Sequence, residues 1–428
     1  MKMYDLLESA HGAQVFKHKK NGLRVILMPN PVNDVAGFQV TYHVGSRDEA
    51  TGYTGATHIL EHLMFKGSKN FHKALKNNID QLENVGAILN ATTWNDRTNY
   101  FEILPTQYLH RAIEIEADRM RNAFIREEDR KAEMTVVRNE YEMDENDPIS
   151  ALRKVLWSTA YVAHPYHHTT IGWLSDIENV SIERLRKFYD TYYWPNNATL
   201  SVVGSFDQDD VLQQIDEHFG KIEPSSHEIP QVYTTEPPQE GAKRYVLKRV
   251  SNQPGCVCIA FKTPKGLSDE HLCLQVLSSI LHQGRSSRLY KKLVHKGLAT
   301  SVFAEDYPNI DEGLFAIYAI PTPNSSSEAL EEIILEEIAL IKKELVKPKE
   351  LERVVNMVKA HNIYGRGSFF SSLSQVNEAI ALKDWRYFYD LPDRLAKITP
   401  KMLQEAAMKY LHEDQSTTGH FIPLSEKK

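Results

Sequence analysis

In His58-Ile59-Leu60-Glu61-His62 two imidazoles stand four residues apart with a carboxylate between them. On a helix that spacing puts both rings on one face, about one turn apart, so both can reach a single cation. Neutral imidazoles hold zinc, and a carboxylate left off the metal can take a proton from water activated there. The flanks are apolar: Ile59, Leu60, Leu63, Met64 and Phe65 surround the polar triplet. Burying two imidazoles and a carboxylate is costly unless something binds them, and a metal is the economical partner. Gly55 and Thr57 can open such a helix, and Gly67 can close it.

A catalytic zinc takes three protein ligands and keeps a fourth position for water. The third ligand must come from another element. Glu127 to Asp144 reads as a helix ended by Asp147-Pro148, and with Glu145 just beyond it offers Glu133, Glu140, Glu142, Asp144 and Glu145. Glu133 and Glu140 lie two turns apart along roughly one face. Periodicity alone does not choose among the five.

Around this site the chain has 428 residues, too many for one core and suited to two domains. Its 42% hydrophobic and 25% charged residues are ordinary for a globular protein. A net charge of -7 gives no reason to expect nucleic acid or an anionic membrane. No apolar run reaches the length of a transmembrane helix. The Met1 to Glu8 start lacks the apolar core of a signal peptide, which leaves either a cytoplasmic chain or a periplasmic one shown after signal removal. Three cysteines are too few for a disulfide framework; Cys256 and Cys258 alternate on one strand face and read as core thiols.

Strand-like alternation covers Leu23 to Met28, Ala36 to Val44, Asn99 to Leu104 and Leu200 to Gly204. His72 to Val85 is polar and helix-prone, and Gln107 to Phe124 is amphipathic. A Pro- and Ser-rich break separates residues 1-222 from 243-428, leaving 223-242 as a linker. After it the element order repeats: strands at Arg244 to Lys248 and Cys256 to Phe261, then a helix from Leu272 to Leu281. Aligning Gly284 with Gly67 sets Gln275, Ser278 and Ser279 opposite His58, Glu61 and His62. The expected fold class is α+β: two similar, duplicated domains, each a mostly antiparallel sheet packed with helices, enclosing a substrate chamber.

His58-Ile-Leu-Glu61-His62, with Glu140 in Glu133-Met-Thr-Val-Val-Arg-Asn-Glu140, resembles the pitrilysin/insulinase family of zinc peptidases, whose H-x-x-E-H order is called inverzincin. Gly86 to Thr93 is similar to that family's active-site edge strand. His164-Pro165-Tyr166 through Gly172, and Tyr193 to Leu200, resemble its later first-domain signature, and Ser286 to Tyr290 its second half. The resemblance implies one zinc per chain held by His58, His62 and Glu140, with Glu61 as general base and Glu133 as a supporting carboxylate. It also implies that Asn90, Ala91 and Thr92 bind an extended peptide by β-augmentation. The implied activity is a metalloendopeptidase acting on peptides or unfolded segments by attack of zinc-bound water; the alternative is a non-catalytic structural or assembly subunit.

The second half departs from the pattern. Members of this family supply an Arg and a Tyr there to hold the substrate carbonyl, but Val294 and Thr300 occupy the corresponding positions. Lost oxyanion donors cost about a hundred- to a thousandfold in rate. The expected remedy is a homologous second subunit carrying Arg and Tyr, as in bacterial processing-peptidase-like pairs. A homodimer is the alternative.

Overall fold

Apolar alternation builds two sheets in the computed structural model, which describes residues 2–75, 79–365 and 367–425. Seven strands form the first: β1 (Tyr4–Ala10), β2 (Ala13–His18), β3 (Arg24–Pro29), β4 (Val35–Tyr42), β5 (Ile88–Thr93), β6 (Thr98–Pro105) and β7 (Ala198–Gly204). Their order is β1-β2-β3-β7-β4-β6-β5, antiparallel except for β3 beside β7. Five strands form the second: β8 (Lys243–Val250), β9 (Cys256–Lys262), β10 (Ala299–Asp306), β11 (Leu314–Pro321) and β12 (Ser416–Leu424). From its β8 end this sheet reads β8-β12-β9-β11-β10, with β8 and β12 as its one parallel pair. That is the pattern β3-β7-β4-β6-β5 repeated strand for strand. The duplicated α+β architecture expected from the sequence is present in the pairing itself.

Contacts divide the chain into two compact units that interleave along it. One comprises Met1–Asn139, His168–Tyr233 and Ile363–Arg386; the other Glu140–His167, Thr234–Asn362 and Tyr387–Lys428. Every strand stays with its own half, but two helices cross over. In the second unit the helix Pro148–Ala160 packs Leu152, Leu156 and Ala160 on the face of β9 that carries Cys256, Cys258 and Ala260. The opposite face, with Val257, Ile259 and Phe261, packs on the helix Asp269–His282. Both faces are therefore covered, which explains the near-continuous apolar run of β9. The two cysteines share a face as expected, and burial pushes the Cys256 thiol up to about 12. In the first unit the helix Phe369–Ala381 lies against β4, β6 and β7. It approaches so closely that a Cβ on Gly37 would stand 2.6 Å from Leu373 Cδ1.

Two segments differ from expectation. His72 to Val85 is not one helix: a 3-10 turn, Lys73–Leu75, and a four-residue helix, Asp80–Glu83, flank residues 76–78, which lie outside the described residues. Of the short helix only Leu82 is buried, so packing had no apolar stripe to extend it. The β1–β2 hairpin was not anticipated, because His11-Gly12 is a weak turn signal; both residues adopt positive φ, 53° and 79°, as a tight two-residue turn requires. The linker has no regular element but is tied down. The Glu236 carboxylate accepts the backbone N–H groups of Val162, Ala163 and His164 and pairs with Lys262 at 3.0 Å. Among the described residues no helix is long and apolar enough to cross a membrane.

Candidate active site

The helix Ala56–Met64 buries Ala56, Ile59, Leu60, Leu63 and Met64 and leaves His58, Glu61 and His62 on its less buried face. Its N-cap, Gly55, has φ 86° and no capping side chain. Glu49 caps it instead, accepting Gly55 N–H through Oε2 and Thr57 N–H through Oε1, both at 2.7 Å. Burial pushes the Glu49 carboxyl up to about 8 despite these bonds. Asp176 Oδ2 accepts the N–H groups of Gly52 (3.0 Å) and Thr54 (3.1 Å) and the Thr54 hydroxyl (2.8 Å). Gly172 sits where a Cβ would come within 2.5 Å of Thr54 O and Gly55 N. The Ile171-Gly172 signature is thus a tight fit around the start of the motif helix.

The helix Glu127–Asn146 brings the carboxylates. The boundary between the two units falls within it, after Asn139. Its earlier turns are fixed to the first unit: Glu133 Oε2 lies 3.1 Å from His62 Nδ1, the other Glu133 oxygen pairs with Lys66 Nζ, and Arg130 donates to Glu178 O at 3.1 Å. One donor atom from each of His58, His62 and Glu140 lies within 4.8 Å of the others. The two rings stand 4.8 Å apart between centroids and nearly perpendicular, at 84°. Accepting Nδ1–H of His62 at Glu133 leaves Nε2 for a metal, the usual arrangement of a ligating imidazole. Burial, and then the neighbouring His62, lowers the His58 pKa to about 4, so this ring is neutral as a ligand must be. Burial raises the Glu133 pKa, but the bonds from Lys66 and His62 outweigh it and hold the carboxyl below its ordinary value. Two imidazole nitrogens and one carboxylate oxygen fit zinc. Of the other acidic candidates on this helix, Glu142 and Asp144 are exposed, and Glu145 is engaged by Lys154 and by Arg249 at 2.7 Å.

The third component is β5, the terminal strand of its sheet. Trp94 N–H bonds to Arg97 O at 2.9 Å, which sets the alternation of the β5–β6 ladder. Asn90 and Thr92 then turn their backbone groups toward β6, while Leu89, Ala91 and Thr93 turn theirs to the open edge. Ala91 N–H is met by its neighbour's side chain, Asn90 Oδ1, at 2.9 Å. The Thr92 side chain points to the other face, donating to Asn99 Oδ1 at 2.5 Å. Thr93, legible in the sequence only as part of the edge strand, donates its hydroxyl to Glu61 Oε2 at 2.5 Å. Its only signal was the period-2 step from Ala91, visible once the strand's inner face is known.

In the second unit the helix Asp269–His282 holds no such cluster. Gln275 accepts from Tyr387 at 3.1 Å, and Ser278 is buried beside His282. Val294 packs half-buried in the short π-helical turn Tyr290–Val294, and Thr300 is exposed on β10. His164 pairs with Asp311 at 3.3 Å and His168 lies 3.7 Å from Glu49. Among the described residues the only three-donor group of metal-binding type is that of His58, His62 and Glu140.

Comparison with known proteins agrees with this geometry. Residues 24–172 match the family described as Insulinase (Peptidase family M16), and residues 179–358 that described as Peptidase M16 inactive domain. The chain is 33% identical over 415 residues to the zinc protease PqqE of Helicobacter pylori, spanning 94% of this chain and 91% of that protein. It is also similar to the crystal structure of a protease from Helicobacter pylori, with TM-score 0.91 and 31% identity over 96% of this chain and 99% of the other. Pitrilysin shares the fold, with TM-score 0.76 at 16% identity; the match spans 100% of this chain but 46% of pitrilysin. The chain belongs to the insulinase family, peptidase family M16.

Proposed function

We propose that this chain is a zinc-dependent metalloendopeptidase that hydrolyses peptides or unfolded polypeptide segments. One observation carries the reading: the donors of His58, His62 and Glu140 converge within 4.8 Å, while the intervening Glu61 is held by Thr93 on a strand with an open edge. When bound, zinc would supply a Lewis acid that lowers the pKa of water toward neutrality. Glu61 takes the proton of the attacking water and delivers it to the leaving amine. Glu133 orients His62 through Nδ1 and so acts on the metal ligand rather than on substrate. An extended peptide docks on the outward N–H and C=O groups of Leu89, Ala91 and Thr93, with Asn90 yielding its bond to Ala91 N–H as it does so. Recognition through the backbone implies weak sequence preference.

Residues 1-222 form the zinc-bearing domain of this reading, and 243-428 its relative without metal ligands. The partner is a homologous subunit that supplies Arg and Tyr in place of Val294 and Thr300, with a homodimer as the alternative. The second reading is a non-catalytic assembly subunit; the match of residues 179–358 to a domain described as inactive fits both, since the peptidase reading also leaves 243-428 without metal ligands. A peptide-cleavage assay with and without a co-expressed homologous subunit separates the two. Zinc-dependent turnover in either arm supports the peptidase and none in both arms refutes it; turnover that survives Glu61→Gln refutes Glu61 as the general base.

A further inference from the structure

The face of the first sheet turned away from the motif helix carries a closed circuit of hydrogen bonds. Thr92 Oγ1 donates to Asn99 Oδ1 at 2.5 Å, Asn99 Nδ2 to Gln39 Oε1 at 3.1 Å, and Gln39 Nε2 to Thr41 Oγ1 at 3.2 Å. Thr41 Oγ1 donates to Asn377 Oδ1 at 2.8 Å, and Asn377 Nδ2 to Glu378 Oε1 at 3.3 Å. The same Glu378 oxygen accepts from Arg97 Nε at 3.1 Å and Nη2 at 2.5 Å. Arg97 Nη1 closes the ring by donating to the Thr92 hydroxyl at 2.7 Å and to the Thr92 carbonyl at 3.0 Å. Gln39, Thr41, Arg97, Asn99 and Asn377 are all buried.

Such a circuit is not needed to glue a helix to a sheet, for which apolar side chains of similar volume serve as well or better. What it adds is geometry. β5 has a neighbour on one side only, so its ladder to β6 leaves its twist and pitch loosely specified. The circuit grips Thr92 at both its hydroxyl and its carbonyl and refers it, through β6 and β4, to Asn377 and Glu378 on the helix Phe369–Ala381. In a buried network each bond polarises the next, and breaking one leaves several groups unsatisfied. We propose that Asn377 and Glu378, contributed from the far end of the chain, are positioning residues for β5: they set the pitch at which the outward groups of Leu89, Ala91 and Thr93 meet an extended peptide. The inference rests on the reading of β5 as the peptide-docking edge.

The test compares Glu378→Leu with Glu378→Gln, which keeps an acceptor for Arg97, in the full-length chain. Hydrogen–deuterium exchange is followed over residues 88–93, and a fluorescein-labelled unstructured peptide is titrated onto each variant in a Glu61→Gln background, so that no turnover is required. Glu378→Leu should speed β5 exchange and weaken peptide binding by about tenfold each, while Glu378→Gln stays within about threefold. Zinc affinity, read by chelator competition, should not move in either variant. Where turnover is measurable, KM should rise and kcat should not. Unchanged β5 exchange, a Gln variant as impaired as Leu, or faster exchange with unaltered peptide affinity would each overturn the proposal. A parent protein that binds zinc but no peptide would overturn the docking edge and this inference with it. A parent that binds no zinc overturns the peptidase reading alone.

Discussion

The helices Ala56–Met64 and Asp269–His282 follow equivalent strands in two sheets of one topology, β4 in the first and β9 in the second. Their surfaces have diverged completely. The first keeps His58, Glu61 and His62 on its less buried face and is held at its start by two carboxylates from elsewhere, Glu49 and Asp176. The second is capped conventionally by Ser268, whose hydroxyl accepts His271 N–H, and buries Leu272, Leu274, Val276, Leu277, Ile280 and Leu281 around most of its circumference. Their companion strands differ likewise. β5 gives Thr93 to Glu61, whereas Thr300 on β10 donates within its own sheet, to Ile320 O at 3.3 Å. A scaffold is thus indifferent to chemistry, and a site needs both a polar helix face and external groups that hold it in place.

The sharpest way to break the comparison is Glu61→Gln. Peptide turnover should fall by about a hundredfold to ten-thousandfold while metal analysis still finds one zinc per chain. Full activity in this variant would leave the motif helix no more catalytic than its counterpart. Glu133→Gln should weaken zinc binding by about ten- to a hundredfold in a chelator competition, through loss of the His62 orientation. An unchanged affinity would make Glu133 ordinary helix surface. The matching change in the other helix, Gln275→Ala, should leave zinc affinity untouched and cost about 1 kcal/mol of unfolding free energy, from the bond with Tyr387.

The remaining predictions are pH dependences, and the two units should show opposite signs. Glu236 has its pKa lowered from 4.5 to about 2: burial would raise it, and the bonds from His164, Ala163 and Val162 overcome that. Its contribution is therefore complete above pH 4.5 and is lost as pH falls toward 2. Glu49 is raised from 4.5 to about 8, so its folded form holds a proton that the unfolded chain has released. Its contribution is complete below pH 4.5 and is lost as pH rises through about 8. Denaturant titrations across pH should show Glu236→Gln flattening the acid limb and Glu49→Gln the neutral limb. The reverse assignment would show that these two caps have been misread.

Much of the site was legible because its logic is local. Helical spacing alone brings His58 and His62 together, and the duplicated strand order was visible once the linker was recognised. That Glu140, rather than Glu133, Glu142, Asp144 or Glu145, brings a donor within 4.8 Å of those of His58 and His62 was not legible from periodicity, because all five lie on one helix whose orientation is set by its neighbours. Glu49 looked like one more acidic residue before a turn, and its burial against Gly55 and Thr57 could not be read from its neighbours in sequence. Thr93 and the Arg97–Glu378 pair were missed for the same reason.

What the sequence determined by itself, then, was the class of chemistry and the period of each element, since both depend on side chains a few residues apart. The tertiary structure decided which carboxylate reaches the histidines, which backbone groups of β5 face outward, and that a helix near residue 378 buttresses a strand near residue 92. Those outcomes follow from packing and pairing between separate segments, as far as 281 residues apart for Arg97 and Glu378, where no local pattern specifies the partner.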